Sequence, residues 1–221
     1  MSVVVAIKKN GIVYLGCDSQ VTCGGTRTTL KNENNYKIWK VIGVDNCLMG
    51  SVGNLRDACV VRTMDSLVSE YNVYRKHIGF DFVVNKIVPD IIERLQDARF
   101  IKKDGVFEGM DSSFLFAFED QLYLISYDGS VIEIEDCVAI GSGKNEALGS
   151  LLSTDKEEPV ERIIKAIKAS AANDIYVDYP IILSSTQSDG FAVITEKNEK
   201  QFIKSQNAEG EEKIKTTPKK K

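Results

Sequence analysis

Ser2-Val3-Val4-Val5-Ala6-Ile7-Lys8-Lys9-Asn10-Gly11-Ile12-Val13-Tyr14-Leu15-Gly16-Cys17-Asp18 is the stretch that decides the fold. Two apolar runs, Val3–Lys9 and Ile12–Asp18, flank Asn10-Gly11, a strong signal for a two-residue hairpin turn. The hydroxyl of Ser2 stands directly before the first of these strands, whose composition reads as buried. Ser2 is small enough for cytosolic processing to remove Met1. That would leave a hydroxyl and an α-amine on one residue, and such an amine titrates near ~8 and can act as a base. Serine also follows the start methionine in very many proteins with no catalytic role, so the rest of the chain has to decide.

The 221 residues suit one compact domain and a tail, and 43% hydrophobic content supports a real core. A net charge of −4 argues against a nucleic-acid binder held by phosphate contacts. No stretch approaches the ~20 apolar residues that span a bilayer, and no secretory leader pattern is present, so a cytoplasmic protein is expected. Five scattered cysteines without a CxxC pair read as reduced thiols.

Downstream, Thr22–Asn35 is polar and reads as a long loop. Lys37–Gly43 and Cys47–Val52 read as strands, and helical periodicity runs from about Asn54 to Lys76. A second helical stretch, about Phe82–Phe100, contains Pro89, which is expected to kink or split it. Strands return at Ser113–Phe118, Leu122–Tyr127, Val131–Ile134 and Cys137–Ile140, with Asp128-Gly129 as another hairpin turn. Helices at Asn145–Ser153 and Pro159–Ala172 precede strands at Ile181–Ser185 and Gly190–Thr195. The order predicts an α+β protein: two facing antiparallel sheets with helix pairs outside, a four-layer αββα sandwich over residues 1–196. Residues 197–221, rich in lysine, are expected to be a disordered tail.

Several residues could carry chemistry. Asp18 ends the second strand, where an Asp also commonly bonds nearby backbone. Lys37 shares a strand face with Trp39 and Val41. If that face is internal, its ammonium needs a carboxylate, and Asp18 is a plausible partner. The opposite arrangement, with Tyr36, Ile38 and Lys40 inward, fits the periodicity equally. Gly50-Ser51-Val52-Gly53-Asn54 joins a strand to a helix, where free N–H groups suit a developing oxyanion, although a tight turn also explains the glycines. Gly141-Ser142-Gly143-Lys144 has similar character but fails both the P-loop and GxGxxG patterns. His77 is the only histidine, in a polar context, which disfavours a Ser-His-Asp triad or a multi-histidine metal site.

Taken in order, these segments resemble the proteasome β-subunit family of N-terminal nucleophile hydrolases, in its simpler bacterial HslV-type branch. The resemblance rests on Ser2-Val3-Val4-Val5, Gly16-Cys17-Asp18-Ser19-Gln20-Val21-Thr22, Lys37-Ile38, Gly50-Ser51-Val52-Gly53-Asn54-Leu55-Arg56-Asp57-Ala58, Ala139-Ile140-Gly141-Ser142-Gly143 and Asn173-Asp174-Ile175-Tyr176. It spans about Ser2 to Thr195.

The resemblance implies peptide-bond hydrolysis without a cofactor or metal. Ser2 Oγ would be the nucleophile and the Ser2 α-amine the base. Lys37, held ionised by Asp18, would lower their pKa values, and the Gly53 N–H would stabilise the oxyanion. Ser142 and Asp174 would orient the amine, while Ser51, Val52 and Thr22 would contact substrate. It further implies a homo-oligomeric ring, fed with unfolded protein by an ATP-dependent unfoldase. A catalytically inactive scaffold of the same fold, or a small-amide hydrolase, is the alternative. Four departures stand out. Serine replaces the family's usual threonine, Val3 replaces a second threonine, the segment from Asp18 to Lys37 is longer, and Val177 stands where many members have serine.

Overall fold

The computed structural model describes residues 2–64, 79–98 and 109–206. The strands are, in chain order, β1 (Val3–Lys9), β2 (Ile12–Cys17), β3 (Gln20–Cys23), β4 (Thr26–Thr29), β5 (Ile38–Lys40) and β6 (Cys47–Val52). They continue with β7 (Ser113–Phe118), β8 (Gln121–Ile125), β9 (Val131–Glu133), β10 (Cys137–Gly141), β11 (Ile181–Ser185) and β12 (Ala192–Ile194). The main helices are α1 (Leu55–Arg62), α2 (Val88–Asp97), α3 (Lys144–Ser153) and α4 (Pro159–Asn173). One five-stranded antiparallel sheet has the order β10-β1-β2-β11-β12, and the second runs β5 to β9 in sequence order.

Alternation along β1 explains why the two sheets stack. Val3, Val5 and Ile7 point to one face and pack with Ala147 and Leu151 of α3 and Ile163, Ile164 and Ile167 of α4. Val4 and Ala6 point to the other face and meet Leu48, Leu115 and Ala117 of the second sheet. The far face of that sheet, through Met49, Phe114 and Phe116, packs on Val60 and Val61 of α1 and Ile91 and Leu95 of α2. The result is the four-layer αββα sandwich. β1 is buried on both faces, which is why it reads as an unbroken apolar run rather than an alternating one. Each of its fully buried valines and Ile7 contributes about 1.5–3 kcal/mol, so the strand that begins at Ser2 is anchored in the centre of the molecule.

Two expectations need correction. The polar segment after Asp18 is not simply a loop: β3 and β4 pair across Gly24-Gly25, with Val21 opposite Thr28. Gly24 and Gly25 both have positive φ (54° and 80°), as a tight two-residue hairpin turn demands. At Pro89 the helical stretch is divided, as expected: Val83–Ile87 is a wider π-turn after Phe80–Phe82, and α2 begins at Val88 with Pro89 in its first turn, where the missing N–H is tolerated. The ordered chain also passes the expected boundary at 196, because residues 199–206 are helical and Phe202 and Ile203 pack on the first sheet's core. Residues 207–221, the helical expectation beyond Met64, the end of the second helical stretch and His77 lie outside the described residues. Among the described residues, no helix is long and apolar enough to cross a membrane.

Gly16 on β2 shows how closely α4 lies on the sheet. A Cβ there would stand 2.3 Å from Ile163 Cγ2 and 2.7 Å from Leu183 Cδ2. Gly16→Val is therefore expected to destabilise the protein by about 1–3 kcal/mol or more through overpacking. An unchanged denaturant midpoint would show that α4 is not held tightly on β2.

Candidate functional site

Ser2 sits at the head of β1 and is 6% exposed. Both strands that flank β1 reach it. From the β10 side, the Ser2 backbone N–H donates to Ser142 Oγ at 3.0 Å, and the Ser2 carbonyl accepts from the Gly143 N–H at 3.4 Å. Gly141 makes this approach possible. Its φ is +105°, and a Cβ at this position would lie 2.0 Å from the Ser2 carbonyl oxygen. Behind it, the buried hydroxyl of Ser170 on α4 donates to the Gly143 carbonyl at 2.7 Å.

From the β2 side comes Asp18, fully buried. Its Oδ1 accepts from the Val3 N–H at 2.9 Å, and its Oδ2 accepts from the Gln20 N–H at 2.9 Å. Lys37, immediately before β5 and 5% exposed, donates from Nζ to both carboxylate oxygens at 2.7 and 2.8 Å. It also donates to the Gln20 carbonyl at 2.6 Å. An ammonium is a donor only, so each of these contacts holds Lys37 in its charged form. Burial pushes the Asp18 carboxyl above its ordinary value, while the Lys37 charge and the Val3 and Gln20 N–H groups pull it down. The two-oxygen contact with an ammonium is that of an ionised carboxylate. Lys37 is thus internal, though not through simple alternation. Both faces of β5 are covered, with Ile38 between the sheets and Trp39 under the outer helices.

The cleft beside these groups has a volume of about 330 Å³. Ser2 and Lys37 line it, with Val21, Thr22 and Cys23 of β3 on one side and Ser51, Val52 and Gly53 at the end of β6 on the other. Gly53 has φ +116°, and a Cβ there would fall 2.2 Å from the Asp111 carbonyl oxygen, so no other residue fits this turn. Asn54 then caps α1, its side chain accepting from the Arg56 N–H at 3.0 Å. A larger groove of about 530 Å³, around Trp39, Arg62 and Phe191, contains none of the candidate catalytic or substrate-binding residues.

Ser2, Ser142, Asp18 and Lys37 are therefore tied together by hydrogen bonds at the start of β1, and Thr22, Ser51, Val52 and Gly53 share the cleft. Asp174, at the end of α4, joins neither group through the bonds of its carboxylate. Its Oδ1 accepts from the Tyr176 N–H at 2.9 Å, and its Oδ2 is buried without a hydrogen-bond partner. The neighbouring Ile175 carbonyl accepts from Gln20 Nε2 at 2.8 Å, which links the Asp174 loop to the Asp18 turn. Sequence reasoning missed Gln20 and Ser170. The Gln20 role had a signal, since an Asp commonly accepts from the N–H two residues on. Among the described residues, no group of three or more His, Cys, Asp and Glu is placed to hold a metal.

Removing the Asp18 carboxylate with Asp18→Ala strands a buried ammonium, and a loss of about 3–5 kcal/mol is expected in denaturant unfolding. A change below about 1 kcal/mol would mean that Lys37 is hydrated in solution. Thiol chemistry provides a second check. Cys23 is exposed on the cleft wall, whereas Cys17 is buried beside Asp18 and its thiol is pushed up to about 12 by burial and by that negative charge. At pH 8 a maleimide is expected on Cys23 and not on Cys17 in peptide maps. Equal labelling would contradict the packing of β2.

Comparison with known proteins identifies the family. The family described as "Proteasome subunit" matches residues 2–184. The chain is 30% identical over 191 residues to the ATP-dependent protease subunit HslV of Borreliella afzelii (strain PKo), a match covering 84% of this chain and 96% of that one. Among solved structures, HslV from Trypanosoma brucei has a TM-score of 0.60 at 18% identity, over 83% of this chain and 98% of its own. BPH of Thiobacillus denitrificans in complex with epoxomicin has a TM-score of 0.63 at 15% identity, over 87% and 99%, and at such identities the likeness is one of fold. With its αββα sandwich and a match across most of its length, this chain belongs to the proteasome subunit family, as an HslV-like, β-type member.

Proposed function

We propose that this chain is an HslV-type peptidase subunit that cleaves peptide bonds with Ser2 as an N-terminal nucleophile, after removal of Met1. The observation that carries the proposal is the Asp18 carboxylate, which binds the Lys37 ammonium and the N–H of Val3, the residue next to Ser2. A fixed positive charge is thereby held in the cleft that Ser2 also lines.

The ion pair also narrows the choice of base. Paired with the Asp18 carboxylate, the Lys37 ammonium has no lone pair to accept a proton, so it acts through its charge. The base that remains on the same residue as the nucleophile is the α-amine of Ser2, held where the Ser2 N–H now meets Ser142 Oγ. Ser2 Oγ attacks the peptide carbonyl carbon, and its proton passes to the amine, directly or through a water. The oxygen of the tetrahedral intermediate is stabilised by the Gly53 N–H. The amine then protonates the leaving nitrogen, the C–N bond breaks, and water hydrolyses the resulting ester on Ser2. The buried, unpartnered Oδ2 of Asp174 fits a role as acceptor for an ammonium near Ser142. Ser51, Val52 and Thr22 would line the substrate strand, the small polar Ser51 leaving a roomy pocket without a charge preference. In keeping with the HslV relatives, the working form would be a cytoplasmic homo-oligomeric ring. An ATP-dependent unfoldase would supply it with unfolded protein, and no metal or cofactor would take part.

Intact mass of the purified protein, before and after treatment with a peptide epoxyketone, tests this directly, because that probe needs a hydroxyl and a free α-amine on one residue. Loss of Met1 with an adduct on Ser2, and no adduct on Ser2→Ala, is the expected result. Retained Met1 with no adduct would refute the peptidase and leave the inactive scaffold.

A further inference from the structure

We propose that Ser112 and Asp57 are positioning residues that hold the Gly53 turn in the geometry that catalysis needs. This rests on the reading of Gly53 N–H as the oxyanion donor. Ser112, 2% exposed, lies just before β7, and Asp57, 3% exposed, lies in the first turn of α1. Ser112 Oγ accepts from the Asn54 N–H at 3.0 Å and donates to Asp57 Oδ2 at 2.8 Å. Because a hydroxyl has a single proton, the carboxylate fixes its direction and leaves a lone pair for Asn54. The Asp57 N–H in turn donates to the Asn54 carbonyl at 3.1 Å.

The clamp acts on both sides of Gly53. Val52 is held by the ladder, opposite Ser113. The peptide from Gly53 to Asn54 is held by Ser112. Gly53 itself rests against the Asp111–Ser112 backbone, where a Cβ would meet Ser112 Cα at 2.7 Å. The Gly53 N–H belongs to the peptide between Val52 and Gly53, at the cleft wall, and the plane of that peptide is set by what holds its neighbours. Neither Ser112 nor Asp57 lines the cleft that contains Ser2; Ser112 lines an adjoining one of about 380 Å³, where it shares the wall with Gly53 and Ser142.

A group that positions an oxyanion donor affects the transition state more than the bound substrate. Steady-state hydrolysis of a fluorogenic peptide, with sites counted by epoxyketone adduct mass so that misfolded protein is excluded, separates this from a structural role. Ser112→Ala is expected to lower kcat by roughly 10–100-fold with KM within about twofold, and to weaken a peptide boronic acid, which mimics the tetrahedral adduct, in proportion. Ser112→Thr, which keeps the hydroxyl, is expected to restore most of kcat. Asp57→Ala, which leaves the hydroxyl free to turn, should fall between the two. A raised KM at unchanged kcat, or boronate affinity unaffected in Ser112→Ala, would overturn the clamp while leaving the nucleophile intact. If the unaltered protein forms no adduct and hydrolyses nothing, the peptidase reading itself falls, and the clamp falls with it.

Discussion

The buried contact between Asp18 and Lys37 is the constraint on which the rest of the site depends. Taking two opposite charges out of water costs several kcal/mol each, and the pair persists only if the remaining lone pairs and protons are also satisfied. Here they are. The carboxylate accepts from Val3, Gln20 and Lys37, and the ammonium also donates to the Gln20 carbonyl. Each partner comes from a different element, so the pair fixes the start of β1, the start of β3 and the approach to β5 relative to one another. A hydrophobic replacement of similar size could match the stability. It could not leave a permanent positive charge beside Ser2 in the cleft.

The sheet supplies what the ion pair does not. β1 lies between β10 and β2, so both edges of its first residues are occupied. One edge is met by the Gly141–Gly143 segment, the other by Asp18. The two positive-φ glycines at this end, Gly53 and Gly141, stand where neighbouring backbone comes within contact distance of the missing Cβ. In each case, a side chain would push apart the two segments that must meet. The layers behind them, with Ser170 of α4 against Gly143 and Ser112 against Gly53, make that close approach rigid.

Much of this was legible in the sequence, and the exceptions have physical causes. β1, β6, β7 and β11 lie at the bounds read from the sequence, because apolar runs bordered by Asn-Gly or by loop residues leave little choice of register. Asp18, Lys37 and Gly53 stood out because their residue types are hard to place in a core without a partner or a turn. The β3–β4 hairpin escaped, since its strands are polar and only Gly24-Gly25 signalled a turn. The face of Lys37 was ambiguous because alternation separates the two faces of a strand only when one of them is wet, and β5 is covered on both. The helix at 199–206 hid in a lysine-rich context, where Phe202 and Ile203 are isolated apolar residues. The bond between Ser112 and Asp57 crosses 55 positions of sequence, and nothing local to either residue announces it.

The use of serine in place of threonine can be weighed by the same physical reasoning. Threonine's extra methyl group restricts χ1, and serine gives that up. Confining one torsion to a single one of three staggered wells costs at most about 0.6 kcal/mol, whereas losing an oxyanion donor costs about 3 kcal/mol. The Ser2 backbone is already fixed through its N–H and carbonyl, so χ1 is the one torsion left to place Oγ. In the proposed mechanism the penalty for serine is therefore a small factor on rate, well below that of disturbing the ion pair or the glycine turn. On that reading, a site that keeps Asp18, Lys37, Gly53 and Ser142 in this geometry retains the interactions proposed to lower the barrier most, and the missing methyl group slows the proposed nucleophile without disqualifying it.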